Sequence, residues 1–251
     1  MTRYVAIGDS FTEGLGDTLP DGSERGWADL VAAGIAAGEG RPISYANLAI
    51  RGRLLEPIVT EQLDAALALS PPPTLLSLNG GGNDMMRPGG DLGRLVAMTE
   101  QAVRRCLDAG VKVLLLSGAD PSGHLPFGSR MRPKGEELTR AVAAFAAKND
   151  VTFVDMFHDR EIQQRHYWSA DRLHLNANGH RRVASVVLAA LGHPTEAHVV
   201  APPVSARKSL LAEAQYYREH VVPWINRRLR GRSSGDDRTG KYVDWTPIPV
   251  S

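Results

Sequence analysis

The apolar residues of this chain gather in short runs that alternate with stretches of helical spacing. Residues 4–7, 43–48, 74–78, 111–116 and 151–155 are strand-length runs rich in β-branched, aromatic and large aliphatic side chains. The run Val113-Leu114-Leu115-Leu116 has no polar alternation, the pattern of a strand covered on both faces. Between the runs, helical spacing predicts helices over 27–38, through Ile58, Leu63, Ala66 and Leu67, and over 92–109, 134–148 and 177–191. Strand–helix alternation with right-handed crossovers predicts an α/β protein. Its expected form is a three-layer α/β/α sandwich around a mostly parallel, five-stranded sheet.

The alternation ends at Gly192, and Pro202-Pro203 opens a segment of different character. The expected division is therefore a domain over residues 1–192 and a C-terminal extension over 193–251, with a helix near 206–230 and an irregular tail. Residues 205–251 carry nine Lys/Arg against five Asp/Glu, whereas the whole chain is only +1. Arg227, Arg228, Arg230 and Arg232 form a basic knot that would suit an anionic partner or a membrane surface. The preferred reading is a solvated helix end whose arginines face the negative end of the dipole, because no aromatic interleaving accompanies them. Nucleic acid is not expected as a partner.

Composition changes this picture in three ways. Hydrophobic residues make up 43% of 251, enough for one sizeable core. The single cysteine, Cys106, excludes an internal disulfide framework and a cysteine-based zinc site within one chain, and its helical setting reads as a small buried hydrophobe. The first strand begins too early to leave room for a signal peptide, and no apolar run approaches the roughly 20 residues of a membrane span. A soluble, cytoplasmic protein is the expectation.

Candidate chemistry lies where runs end. Ser10 follows the first strand in Gly8-Asp9-Ser10, Gly52 follows the second, Asn83 closes Gly80-Gly81-Gly82-Asn83 after the third, and Asp171 with His174 follows the fifth. In an open α/β sheet the carboxyl ends of strands form the ligand-binding rim. Acyl transfer needs a hydroxyl, a base that takes its proton, a carboxylate that orients the base, and donors for the developing oxyanion. Asp171 and His174 stand three residues apart, a reach that lets the carboxylate hold one ring nitrogen while the other faces Ser10. Gly52 can bring a backbone N–H close, and Asn83 can offer an amide.

Gly8-Asp9-Ser10, Asn47 with Gly52, Gly81-Gly82-Asn83-Asp84 and Asp171-x-x-His174 stand in the order and spacing of the SGNH, or GDSL-type, hydrolases. The chain resembles bacterial members of this esterase/lipase family over about residues 3–191. The resemblance implies the flavodoxin-like SGNH fold, Ser10 as nucleophile, His174 as base and Asp171 as orienting acid. It also implies an oxyanion hole of Ser10, Gly52 and Asn83. Gly-Asp-Ser-Phe stands where many members have Gly-Asp-Ser-Leu.

The same residues admit other readings. Gly80 to Gly82 lacks the Gly-Lys-Ser/Thr of a phosphate loop. Asp171, His174 and His180 form a weak metal set without His-Glu-x-x-His, so no metal or cofactor is expected. Asp84 is read as shaping its turn. Residues 85–88, 124–127 and Tyr167 with Trp168 are the expected walls of the site. Their mixed polarity points to a short-chain or acetyl ester. A lysophospholipase- or thioesterase-like enzyme acting on an amphiphile, and a non-catalytic binding module, are the alternatives.

Overall fold

The computed structural model describes residues 1–87, 90–126, 128–193, 195–201, 216, 218–219 and 235–250. The expected 206–230 helix and the basic knot at 227–232 lie outside these residues, apart from Tyr216, Arg218 and Glu219.

β1 (Arg3–Ile7), β2 (Ile43–Asn47), β3 (Leu75–Leu78), β4 (Lys112–Leu116) and β5 (Thr152–Val154) are mutually parallel, in the order β5-β4-β3-β1-β2. Alternation within each strand sends side chains to opposite faces. Tyr4 and Ala6 of β1 join a core with α2 (Trp27–Glu39) and α8 (Ala177–Ala190). Val5 and Ile7 join the opposite core, with α6 (Leu92–Asp108), α7 (Gly128–Lys148) and the segment after β2. Cys106 is buried in this second core. That segment runs through α3 (Leu55–Pro57), a π-helical turn (Ile58–Gln62) and α4 (Leu63–Ala68). Helices on both faces of the sheet make the expected sandwich.

Among the described residues the sheet has six strands, one more than expected. β6 (Tyr242–Ile248), from the C-terminal extension, pairs antiparallel with β2, with Ile43 opposite Ile248 and Tyr45 opposite Thr246. Asp244 and Pro247 interrupt its apolar pattern. Proline is tolerated because β6 is an edge strand with one side free of ladder bonds. Lys241 secures its start, reaching the Asp29 carboxylate and the Glu24 carbonyl, both at 2.6 Å.

α7 begins at Gly128, earlier than the expected start at 134, with Pro133 inside its early turns. Among the described residues, no helix is long and apolar enough to cross a membrane.

Candidate active site

Ser10 is placed by a sharp turn at the carboxyl end of β1. Gly8 has φ +156°, and a Cβ there would stand 2.6 Å from Thr12 Oγ1 and 2.8 Å from the Asn79 carbonyl, so only glycine lets β1 turn this closely. Asp9 then caps α1 (Ser10–Glu13), accepting the Phe11 N–H at 3.1 Å. Ser10 thus opens a short helix with its hydroxyl in a cleft.

His174 comes from the loop before α8. Its Nε2 lies 3.1 Å from Ser10 Oγ, and its Nδ1 lies 2.6 Å from Asp171 Oδ2. Asp171 is itself locked: Oδ1 accepts from Ser169 Oγ at 2.6 Å and from the Leu173 and His174 backbone N–H groups at 3.0 Å. Burial raises the Asp171 carboxyl, but the hydrogen bonds and charge of His174, with the Ser169 donor, outweigh burial and hold it well below the usual carboxylate range. An ionised carboxylate only accepts, so Nδ1 carries the proton and Nε2 is left to accept from Ser10. Arg172, between the two, stacks on Tyr216 of the C-terminal extension at 3.9 Å.

Gly52 and Asn83 line the same cleft. Gly52 has φ +75°, which favours glycine. Among the described residues, neither its N–H nor that of Ser10 donates to another protein group. Asn83 Nδ2 donates to Asp9 Oδ2 at 3.1 Å and to the Arg53 carbonyl at 3.0 Å. Burial pushes Asp9 up to about 6, against the lowering effect of the Phe11 N–H. Asp84, in the short helix α5 (Gly82–Met85), ties it to α3 by accepting the Leu55 N–H at 2.9 Å.

Gln62, Glu13 and Arg51 position the site without belonging to any motif in the sequence. Gln62 accepts the Gly8 N–H at 2.8 Å and donates to the Gly8 carbonyl at 3.0 Å, clamping the turn before Ser10. Its one signal is a polar residue inside the apolar stripe of Ile58 and Leu63. Glu13 accepts the Arg51 N–H at 2.6 Å and pairs with the Arg51 guanidinium, bracing the loop that carries Gly52.

The walls differ from expectation. Met85, Met86, Arg87 and Trp168 line the cleft. Tyr167 is fully buried, donating to Glu161 at 2.7 Å and accepting the Val200 N–H. His124 is turned to the Gln163 carbonyl, and the wall near it is formed by Asp120 to Ser122. Pro88 and Phe127 lie outside the described residues. His158 pairs with Asp155 at an exposed position. His180 is buried between the Trp27 N–H at 3.2 Å and the Leu15 carbonyl at 3.3 Å, so both ring nitrogens serve the backbone and neither faces Asp171 or His174 as a metal ligand would.

Solved structures of the same fold include the psychrotrophic esterase EstA from Pseudoalteromonas sp., 19% identical with TM-score 0.59, over 76% of this chain and 97% of that one. TesA is 26% identical with TM-score 0.62, over 76% and 98%. A catalytic mutant of Axe2, an acetylxylan esterase from Geobacillus stearothermophilus, is 19% identical with TM-score 0.63, over 78% and 97%. No curated protein sequence matches. The family model described as GDSL-like lipase/acylhydrolase matches residues 6–182, a span that includes Ser10, Gly52, Asn83, Asp171 and His174, and the chain is therefore a member of this family of ester hydrolases.

Proposed function

We propose that this ester hydrolase works through Ser10, His174 and Asp171, with Ser10, Gly52 and Asn83 stabilising the oxyanion. The observation that carries this reading is the unbroken relay from Asp171 Oδ2 to His174 Nδ1 and from His174 Nε2 to Ser10 Oγ. Ser10 Oγ attacks the ester carbonyl as its proton passes to His174 Nε2, and Asp171 steadies the imidazolium. The carbonyl oxygen gains the negative charge and meets the free N–H groups of Ser10 and Gly52. Asn83 shares an amide hydrogen with it in place of Asp9 or Arg53. The proton on His174 then leaves with the alcohol. Water, deprotonated by His174, cleaves the acyl-serine and releases the acid.

A fluorophosphonate probe followed by mass spectrometry tests this assignment. One adduct is expected on Ser10, and none in Ser10→Ala. An unlabelled chain without turnover of activated esters would favour a binding module on the same fold. The expected short-chain or acetyl ester rested on walls at 85–88, 124–127, Tyr167 and Trp168, of which Met85, Met86, Arg87 and Trp168 line the cleft.

A further inference from the structure

The family match ends at residue 182, yet residues well beyond it pack against the loops that carry Gly52 and His174. Ile50-Arg51-Gly52-Arg53 is a turn closed by the Arg53 N–H on the Ile50 carbonyl at 3.3 Å. Gly52, with φ +75°, is its only residue with positive φ, which makes it a type II turn. The type I alternative differs by a flip of the Arg51–Gly52 peptide. Carbonyl and N–H point opposite ways across a trans peptide, so that flip would turn the Gly52 N–H away from where it now points. Glycine permits both forms, because it carries no Cβ to penalise either sign of φ. The turn alone therefore does not fix the oxyanion donor.

Gly235, in the C-terminal extension, fixes it. Gly235 is buried, and a Cβ on it would stand 1.9 Å from the Arg51 carbonyl oxygen and 3.1 Å from the Arg51 carbonyl carbon. The carbon is farther by the whole length of a C=O bond, so that bond is aimed straight at Gly235. The Gly52 N–H, on the other side of the peptide, is directed away from the extension. Pairing of β6 with β2 and the Lys241–Asp29 ion pair anchor the chain just after Gly235.

A second contact reaches the other flank. Arg172 lies between Asp171 and His174 with φ +61°, a left-handed conformation that arginine seldom adopts. The Arg172 N–H on the Ser169 carbonyl at 3.2 Å and the Ser169 N–H on the His174 carbonyl at 2.9 Å close this tight turn. The buried ring of Tyr216 lies 3.9 Å from the Arg172 guanidinium and holds that side chain by a cation–π stack.

Resting on the ester-hydrolase reading above, we infer that the C-terminal extension completes the active site from outside the matched span, Gly235 setting the Gly52 N–H and Tyr216 steadying the Asp171–His174 turn. Both are positioning residues. Gly235 acts through the Arg51–Gly52 peptide, and Tyr216 acts through Arg172.

The test is steady-state kinetics of the full chain on p-nitrophenyl acetate, with Tm and the affinity of phenylboronic acid, which becomes tetrahedral on Ser10 and places an oxygen in the oxyanion hole. Gly235→Ala displaces the Arg51 oxygen, so it is expected to lower kcat by about 10²–10³, with KM little changed, and to weaken the boronic acid by about tenfold. Tyr216→Leu is expected to lower kcat by about tenfold through a misplaced base. Tyr216→Phe keeps the ring over Arg172 and is expected to keep the parent kcat. An extension that only stabilises the fold predicts a lower Tm with kcat and boronic-acid affinity unchanged wherever the variants are folded, and that result overturns the inference. Tyr216→Phe as slow as Tyr216→Leu overturns it too, and the Tyr216 pair decides alone if Gly235→Ala does not fold. A parent chain with neither Ser10 labelling by a fluorophosphonate nor turnover overturns the hydrolase assignment instead, and the positioning role with it.

Discussion

Asn83 and Asp9 are joined across the cleft, the Asn83 amide donating to the Asp9 carboxylate at 3.1 Å. The contact ties the loop after β3 to the turn after β1, on either side of the reacting oxygen. The donor that would meet the oxyanion is therefore held in place before substrate arrives. Asn83→Ala is expected to lower kcat by about 10²–10³, the scale of one lost oxyanion donor. Asn83→Asp sets two carboxylates against each other, so it is expected to lower kcat further and to lower Tm as well. Steady-state kinetics with thermal unfolding separates the two variants.

Ser10→Ala is expected to reduce kcat by about 10⁴–10⁶ with little change in Tm. The hydroxyl's one side-chain partner among the described residues is His174, and the residue sits half-exposed at the rim, so its removal leaves no cavity in either core. A Tm drop of the size seen for core truncations would contradict this placement.

Gln62→Leu keeps the size and apolar setting of the side chain but strands the Gly8 N–H, while the Gly8 carbonyl keeps the Ile50 N–H at 3.1 Å. One buried unsatisfied donor costs about 1–3 kcal/mol, so urea unfolding is expected to show a loss of that size. Because Gly8 precedes Asp9 and Ser10, kcat is expected to fall more than KM rises. A variant that matches the parent in both measurements would remove Gln62 from the account.

Two buried groups titrate in mild acid with opposite signs. Burial lowers His180 from 6.5 to about 4, so its neutral form contributes stability that is full above pH 6.5 and lost as the pH falls through about 4. Burial raises Asp9 from 3.8 to about 6, so its protonated form contributes stability that is full below pH 3.8 and lost as the pH rises through about 6. At pH 5 the first effect costs about 2 kcal/mol and the second offsets about 1 kcal/mol, so the parent chain loses little between pH 7 and 5. Asp9→Asn removes the offset and is expected to lose about 1 kcal/mol more over that interval, measured by urea unfolding at the two pH values.

Prolonged treatment with a strong chelator is expected to leave turnover unchanged. His180 uses both ring nitrogens on backbone groups, which leaves Asp171 and His174 without a third ligand from that helix. Inactivation restored by a divalent metal would contradict this.

What could be read from the sequence was local. The apolar runs 4–7 and 111–116, the breaks that follow strands, and the blocks around Ser10, Gly52, Asn83 and His174 depend on spacing and turn chemistry within a few residues, and these carry the α/β alternation and the rim. Only the tertiary structure decided what depends on pairing between distant segments. β6 is a strand because β2 offers an open edge, even though Asp244 and Pro247 blur its pattern. Gln62 clamps Gly8 because a π-helical turn carries it to the end of β1. Tyr167 is core rather than wall because Glu161 and Val200 satisfy its hydroxyl. The cleft is lined by residues of both α7 and β5 because these two elements pack together, and one-dimensional periodicity does not record how packed elements meet.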